Sequence, residues 1–178
     1  KEDSVKKVVI ENGITSIGAY AFSSCNNLAS IEIPSSVTSI GNGAFSRCSS
    51  LTDITIPSSV TSIGDSAFYG CNSLTSITIP ESVTSIGASA FYDTPWLTNK
   101  QKENNSLVIV NGILIDGTVC SGEVTIPDGV TSIGGSAFFN CTGLTNIKIP
   151  NSVTSIGNGA FSICTGLTSI NIPENVTS

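Results

Sequence analysis

One short phrase recurs along this chain and restricts the folds that it can adopt. Ile-Thr-Ser-Ile-Gly at 14–18 returns as Val-Thr-Ser-Ile-Gly, beginning at Val37, Val60, Val83, Val130 and Val153. Successive copies are 23 residues apart, except for one step of 47 residues between the fourth and fifth. Self-similarity at such a period is typical of a solenoid, in which each unit buries its apolar face against its neighbours. The sequence therefore predicts a stack of coils.

Each repeat contains a short strand bounded by turn residues. In the second unit, Ile31 and Ile33 alternate with polar residues, which predicts a half-buried strand. Pro34 cannot donate to a β-ladder and is expected to end that strand. Gly41 predicts a turn that a residue with a Cβ would resist. We expect a mainly β, right-handed coil of 23-residue period with short helical or irregular returns.

Phenylalanine and cysteine recur at fixed positions in the repeat. The phenylalanines predict an internal column of stacked rings, formed by Phe22, Phe45, Phe68, Phe91, Phe138 and Phe161. The equivalent cysteines are Cys25, Cys48, Cys71, Cys141 and Cys164, and Cys120 stands apart. Parallel coils place equivalent atoms ~4.8 Å apart, whereas a disulfide needs Cβ atoms ~3.8 Å apart. We therefore predict buried free thiols, with a zinc site as the weaker alternative because the column is linear and the chain lacks histidine.

The 47-residue step contains a segment that departs from the repeat. Asn111 and Gly112 separate two apolar runs, 107–110 and 113–115, and this arrangement indicates a β-hairpin with a type I′ turn. Since 47 is two periods plus one residue, the segment could equally fill an irregular extra coil. We expect an excursion over about 95–122 that replaces a coil and keeps the stack continuous, within a single domain of residues 1–178.

The whole repeat can be written as one pattern. Its order is Leu-x-x-Ile-x-Ile-Pro-x-x-Val-x-x-Ile-Gly-x-x-Ala-Phe-x-x-Cys, in six nearly complete copies that cover nearly the whole chain. This pattern resembles the leucine-rich repeats of the BspA-like bacterial surface-antigen family, and the interrupted fourth unit is the departure from it. The resemblance implies a horseshoe-like solenoid, a cell-surface or secreted location and an adhesive surface, and it supplies no catalytic site.

The two chain ends bear on the size of the natural protein. The chain begins at Lys1 and stops at Ser178, inside a further copy of the repeat. Because a solenoid normally ends in a capping unit, we expect this chain to be a fragment of a longer protein.

Composition argues against several functional classes. The formal charge is −6, and the seven basic residues include one arginine, so nucleic acid is not an expected partner. The apolar runs are far shorter than the ~18 residues that suggest a membrane span, so no membrane insertion is expected. Without histidine there is no Ser-His or Cys-His pair, and the acidic residues are scattered. We expect neither catalysis nor a cofactor.

An aromatic cluster is the first candidate binding site. The residue after the column phenylalanine is aromatic in the units that flank the break, namely Tyr69, Tyr92 and Phe139, and Trp96 follows in the break itself. If these rings face solvent, they form an apolar patch of the kind that marks interaction sites. The alternative is that they pack beneath the excursion.

The outward face of the predicted strands is the second candidate site. Its residues are small, polar and mixed in charge, and they include Glu32, Asp53, Thr55, Thr78, Thr125, Lys148 and Asn171. About eight coils give this face a few hundred Å², below the ~800 Å² per partner of a typical stable interface. The alternative is that these residues simply suit solvated strands.

The favoured function is a non-catalytic protein-binding module of a bacterial surface or secreted protein, adhesive toward host extracellular proteins or other cells. One alternative is a carbohydrate-binding surface that uses Tyr69, Tyr92 and Trp96 as stacking platforms. Another is a passive spacer that holds a different domain away from the cell wall.

Overall fold

The computed structural model describes residues 4–104 and 106–178 and consists mainly of short strands joined by turns. It contains two compact units, an N-terminal unit (Lys1–Asn99) and a C-terminal unit (Lys100–Ser178). Each is a stack of coils with parallel strands at the repeat positions, as the sequence predicts. That residues 1–178 act as one domain stays a prediction.

The N-terminal unit contains two rows of strands. In chain order these are β1 (Lys7–Val9), β2 (Ser16–Ile17), β3 (Ser30–Glu32), β4 (Ser39–Ile40), β5 (Asp53–Thr55), β6 (Ser62–Ile63), β7 (Ser76–Thr78) and β8 (Ser85–Ile86). The Ser-Ile strands form one parallel sheet in the order β2-β4-β6-β8. In the other row, β1 pairs with β3 and β5 pairs with β7, also in parallel. Each pairing aligns equivalent residues one repeat apart, which confirms the 23-residue period.

The C-terminal unit repeats this plan after the break. Its strands are β9 (Val108–Val110), β10 (Ile113–Asp116), β11 (Gly122–Thr125), β12 (Ser132–Ile133), β13 (Leu144–Lys148) and β14 (Ser155–Ile156). One sheet has the order β14-β12-β10-β9, and β11 pairs with β13. These pairings are parallel except for β9 with β10, which is antiparallel.

The predicted hairpin is confirmed, and it also supplies part of a coil. Asn111 and Gly112 join β9 to β10 with positive φ angles of 50° and 77°, as a type I′ turn requires. Strand β10 then pairs in parallel with β12, and Leu114 lies beside Ile133, 19 residues later. The hairpin and the irregular coil, alternatives from the sequence, are therefore one feature.

Aromatic rings form columns inside both units. In the N-terminal unit the rings of Phe22, Phe45, Phe68 and Phe91 stack with centroids 5.3–5.6 Å apart. In the C-terminal unit Phe138 and Phe161 stack at 5.3 Å. The predicted ring stacking is confirmed within each unit.

The returns between the two rows are irregular turns, and hydrogen bonds join them from coil to coil. The Phe22, Phe45 and Phe68 amides donate to alanine carbonyls of the following coil at 2.7–2.8 Å. Two residues of each regular return have positive φ, as at Tyr20 and Ser24. The only α-helix in the described residues is α1 (Pro95–Glu103), and no helix there is long and apolar enough to cross a membrane.

The repeat glycine has a different role from the expected one. Gly41 does not have a positive φ, so the prediction of a turn that needs glycine's backbone freedom is wrong. A Cβ at Gly41 would instead lie 2.7 Å from the Ala19 amide nitrogen in the preceding coil, and one at Gly64 would lie 2.6 Å from the Asn42 nitrogen. Glycine is required because neighbouring coils approach too closely for a side chain.

We predict that Gly64→Ala lowers the free energy of unfolding by about 1–3 kcal/mol, because backbone must move to admit the methyl group. Gly18→Ala is the matched control, since a Cβ there meets nothing within 4 Å. It should change stability by less than about 1 kcal/mol. Urea denaturation followed by circular dichroism measures both, and equal midpoints for the two variants would contradict this role.

Candidate functional site

The strand face is exposed as its residue alternation predicts. Along β3 and β5 the outward residues are solvent-exposed, whereas Ile31 and Ile54 between them are buried. All seven predicted face residues are exposed: Glu32, Asp53, Thr55 and Thr78 in the N-terminal unit, and Thr125, Lys148 and Asn171 in the C-terminal unit. Asn171 lies outside the strands, so it continues the sequence pattern but not the regular sheet.

Few charges on this face interact with each other. Glu32 forms an ion pair with Lys7 on the neighbouring strand, and both side chains are more than half exposed. Such a pair contributes ~0–1 kcal/mol to stability. Asp53 accepts a hydrogen bond of 3.0 Å from the Thr52 hydroxyl. The face therefore presents carboxylates and hydroxyls to solvent with little internal neutralisation.

Two tyrosines form a stacked pair in the N-terminal unit. The Tyr69 and Tyr92 rings have centroids 5.6 Å apart and an interplanar angle of 12°. Tyr92 is 48% exposed, and Tyr69 is half-buried. Phe139, in the C-terminal unit, is 45% exposed. These three aromatic residues therefore reach solvent, each within its own unit.

Trp96 does not belong to a surface cluster. Its side chain is only 7% exposed, and its ring lies 4.8 Å from Phe91 at an angle of 56°. The Trp96 amide donates to the Leu74 carbonyl at 2.8 Å. The tryptophan is thus packed on the last phenylalanine of the N-terminal column, which corrects the expectation that its ring is available to a ligand.

A helix start that the sequence contains explains the position of Trp96. Thr94 is buried, and its hydroxyl accepts a hydrogen bond from the Leu97 amide at 3.2 Å, which is the geometry of an N-cap. Pro95 occupies the first helical position, where its missing N–H has no cost. Thr-Pro before an apolar pair was therefore a readable signal for α1, and the sequence-based interpretation missed it.

The cysteine column is a hydrogen-bonded ladder. The thiols of Cys48 and Cys71 donate to the carbonyls of Phe22 and Phe45 at 3.0 and 3.1 Å. In the C-terminal unit the Cys164 thiol donates to the Phe138 carbonyl at 3.1 Å. The prediction of free thiols is confirmed for Cys48, Cys71, Cys120, Cys141 and Cys164, although Cys164 is only half-buried. No group of three or more potential metal ligands occurs in the part of the chain that is described.

Burial also makes these thiols hard to ionise. The pKa of Cys48, Cys71 and Cys141 is raised to about 12, chiefly by burial and, for Cys48 and Cys141, also by neighbouring cysteines. Because the thiolate is the reactive form, these cysteines should be chemically inert in the folded protein.

Asp116 is a buried carboxylate that the sequence did not single out. It is 4% exposed, at the end of β10. Gln101 Nε2 donates to one carboxylate oxygen at 2.7 Å, and the Thr118 hydroxyl donates to the other at 2.9 Å. Burial raises the pKa of Asp116, and these hydrogen bonds oppose that shift. The carboxylate thereby fastens α1 to the hairpin.

Stacked parallel coils, inward leucine, isoleucine and phenylalanine, and an outward polar strand row define a leucine-rich-repeat solenoid. The family model for the BspA type leucine-rich repeat region matches six copies over residues 1–113 and 117–178. The chain belongs to this family, and the resemblance identified from the sequence is confirmed. A comparison with curated proteins gave no match.

Several solved structures have the same fold. A leucine-rich repeat protein from Bacteroides ovatus ATCC 8483 is 25% identical, with a TM-score of 0.54 over 96% of this chain and 50% of that chain. The leucine-rich repeat protein of T. pallidum is 27% identical, with a TM-score of 0.53 over 95% of this chain and 71% of that one. The pneumococcal vaccine antigen PcpA, at 18% identity and a TM-score of 0.52 over 96% of this chain and 51% of that chain, is similar in fold alone. This chain thus spans half the length of the Bacteroides ovatus protein.

We predict that iodoacetamide at pH 8 leaves Cys48, Cys71 and Cys141 unmodified in the folded protein. With a pKa of about 12, their thiolate fraction at that pH is on the order of 10⁻⁴. The same chain in guanidinium chloride is the control and should react completely. Peptide mapping by mass spectrometry measures both samples, and complete labelling of the folded chain would disprove the burial argument.

We also predict that Asp116 makes stability depend on pH. A carboxyl whose pKa is raised on folding binds more protons in the native state, so its contribution to the free energy of unfolding falls as pH rises from about 4 through the raised pKa. The Asp116→Asn variant lacks this dependence. Urea midpoints of both proteins at pH 4, 5.5 and 7 should therefore show the natural chain losing stability relative to the variant as pH rises. A difference that is constant with pH would contradict the prediction.

Proposed function

We propose that this chain is a non-catalytic protein-binding module of a bacterial surface or secreted protein, and that it adheres to host extracellular proteins or other cells. The observation that carries the proposal is the exposed strand face, where Asp53, Thr55 and Thr78 project from paired strands while the isoleucines point inward. A row of side chains held on a rigid sheet costs little conformational entropy to order on binding.

The size of that face sets the strength of binding to expect. Interfaces smaller than ~1,200 Å² in total belong to weak and transient complexes. The proposed complex is therefore of modest affinity unless further repeats add to the surface. The surface or secreted location rests on the family resemblance, and the leucine-rich-repeat family is generally non-catalytic.

Carbohydrate binding is the second candidate, and the stacked pair Tyr69 and Tyr92 favours it. Their rings lie parallel, and Tyr92 is about half exposed. An aromatic side chain that joins an apolar body to a polar hydroxyl suits a ligand with both apolar and hydroxyl-bearing faces. Trp96, being buried, has no part in this candidate.

We predict that the double variant Thr55→Arg/Thr78→Arg weakens partner binding about tenfold or more, because two long cations disrupt the face in the N-terminal unit. The matched control is Thr61→Arg/Thr84→Arg, which makes the same change in the same coils beside β6 and β8, where both threonines are also exposed. The measurement is saturable binding of the chain to an immobilised panel of purified host extracellular proteins.

The outcomes separate the candidates. Equal loss in both double variants would argue against the strand face. If the natural chain binds glycans on an array and the Tyr69→Ser/Tyr92→Ser variant does not, carbohydrate binding is favoured. Absence of binding to both the protein panel and the glycan array would disprove the adhesive function and would favour the passive spacer.

A further inference from the structure

A groove lies beside β11 in the C-terminal unit. Its volume is about 590 Å³, within the ~300–1,000 Å³ of typical ligand sites. Leu107, Ile109 and Val124 contribute apolar surface to it, and Glu103, Glu123 and Thr125 contribute polar atoms. No residue of β13 lines the groove, so it opens on the other side of β11 from its paired strand.

That side of β11 is an open strand edge. In the described residues β11 pairs with β13 alone. The Gly122 and Ile126 amides donate toward the β13 side, to the carbonyls of Gly143 and Lys148 at 2.8 and 3.0 Å. Because backbone groups alternate in direction along a strand, the N–H and C=O groups of Glu123 and Thr125 are directed to the groove side. Such an edge is a template for another strand.

The break in the repeat leaves β11 without a strand of the preceding coil beside it. Strand β5 also lacks a ladder partner on this side, but β3 of the preceding coil lies next to it. In the regular pattern a strand such as β13 has the equivalent strand of the preceding coil beside it, here β11. Before β11 the chain forms α1 and the β9–β10 hairpin instead, and no strand of that row. As a result Val124 is only half-buried, whereas Ile147, its partner on β13, is 4% exposed.

Charge indicates what kind of strand would fit. Glu123 is exposed and has no ion pair among the described residues, whereas Glu103 is paired with Lys100 at 2.8 Å. No lysine or arginine lines the groove, and the whole chain has a net charge of −6. Opposite charges on neighbouring strands stabilise a sheet, so a basic residue beside Glu123 is favoured.

We propose that the open edge of β11 accepts an extended basic segment of a partner protein as an added strand. Alternate side chains of that segment enter the groove against Leu107, Ile109 and Val124, and the intervening residues place a lysine or arginine beside Glu123. Main-chain hydrogen bonds to Glu123 and Thr125 hold the segment, and the groove selects its apolar residues. This inference rests on the proposed function, in that both treat the chain as a protein-binding module, but it assigns a separate site.

The test titrates the full chain with a blocked eight-residue peptide in which valine and lysine alternate. Nitrogen-15 NMR should show saturable shifts of the Glu123, Val124 and Thr125 amides. Glu123→Lys should weaken binding about fivefold to tenfold, because it replaces an attractive cross-strand pair with a repulsive one. Glu174→Lys is the matched control, with the same charge change on an exposed residue outside the groove, and it should bind like the natural chain.

A second peptide tests the pairing itself. The same sequence with N-methyl groups on its four central residues cannot complete a β-ladder and should not bind. Equal binding of the two peptides, or equal weakening by Glu123→Lys and Glu174→Lys, would overturn strand addition in favour of non-specific charge attraction. Absence of shifts with the first peptide would overturn the proposal outright. If the same amides shift with protein concentration alone and sedimentation shows a dimer, the proposal of a partner segment is overturned, and the strand edge binds a second copy of this chain.

The result can be separated from that of the proposed function. Partner capture that responds to Thr55→Arg/Thr78→Arg, without peptide binding, would overturn the groove site alone. Peptide binding without any captured partner would overturn the strand-face function alone.

Discussion

The close parallel stacking of equivalent coils is the constraint on which the rest of the structure depends. Strands in register one repeat apart bring equivalent residues to ~4.8 Å, so each position of the repeat must tolerate its own copies as neighbours. Flat rings satisfy this spacing by stacking at 5.3–5.6 Å. Glycine satisfies it at Gly41 and Gly64, where any Cβ would strike the preceding coil.

The same stacking explains why small polar residues recur inside the repeat. Ser59, Ser82 and Ser152 each donate a hydroxyl hydrogen bond of 2.6–2.8 Å to a carbonyl of the preceding coil. The cysteine thiols do the same for the phenylalanine carbonyls. Buried carbonyls need partners, and a repeated side chain can supply one in every coil. No buried side-chain nitrogen or oxygen of the described chain lacks a hydrogen-bond partner.

At the break, equivalent residues no longer repeat from coil to coil, and several side chains there have surroundings that the regular coils lack. Trp96 covers the end of a phenylalanine column, Asp116 is buried against α1, and β11 keeps an open edge. The positions of Trp96 and Asp116 are not available to a perfect repeat, because each needs a residue that its copies in other coils do not share.

Sequence alone predicts the solenoid, its period, the ring columns, the thiols, the hairpin and the exposed strand face, since each follows from repeat spacing or from local turn residues. Ile31 beside Glu32 fixes which side is inward, and Asn111-Gly112 fixes a turn. The other features depend on contacts between separate elements and were visible only in the folded structure. The tertiary structure buries Trp96 on Phe91 and places Gln101 against Asp116. It also shows that Gly41 is a point of close approach between coils and not a turn residue. It also left the edge of β11 open, because the helix and hairpin that replace a coil supply no strand to that row.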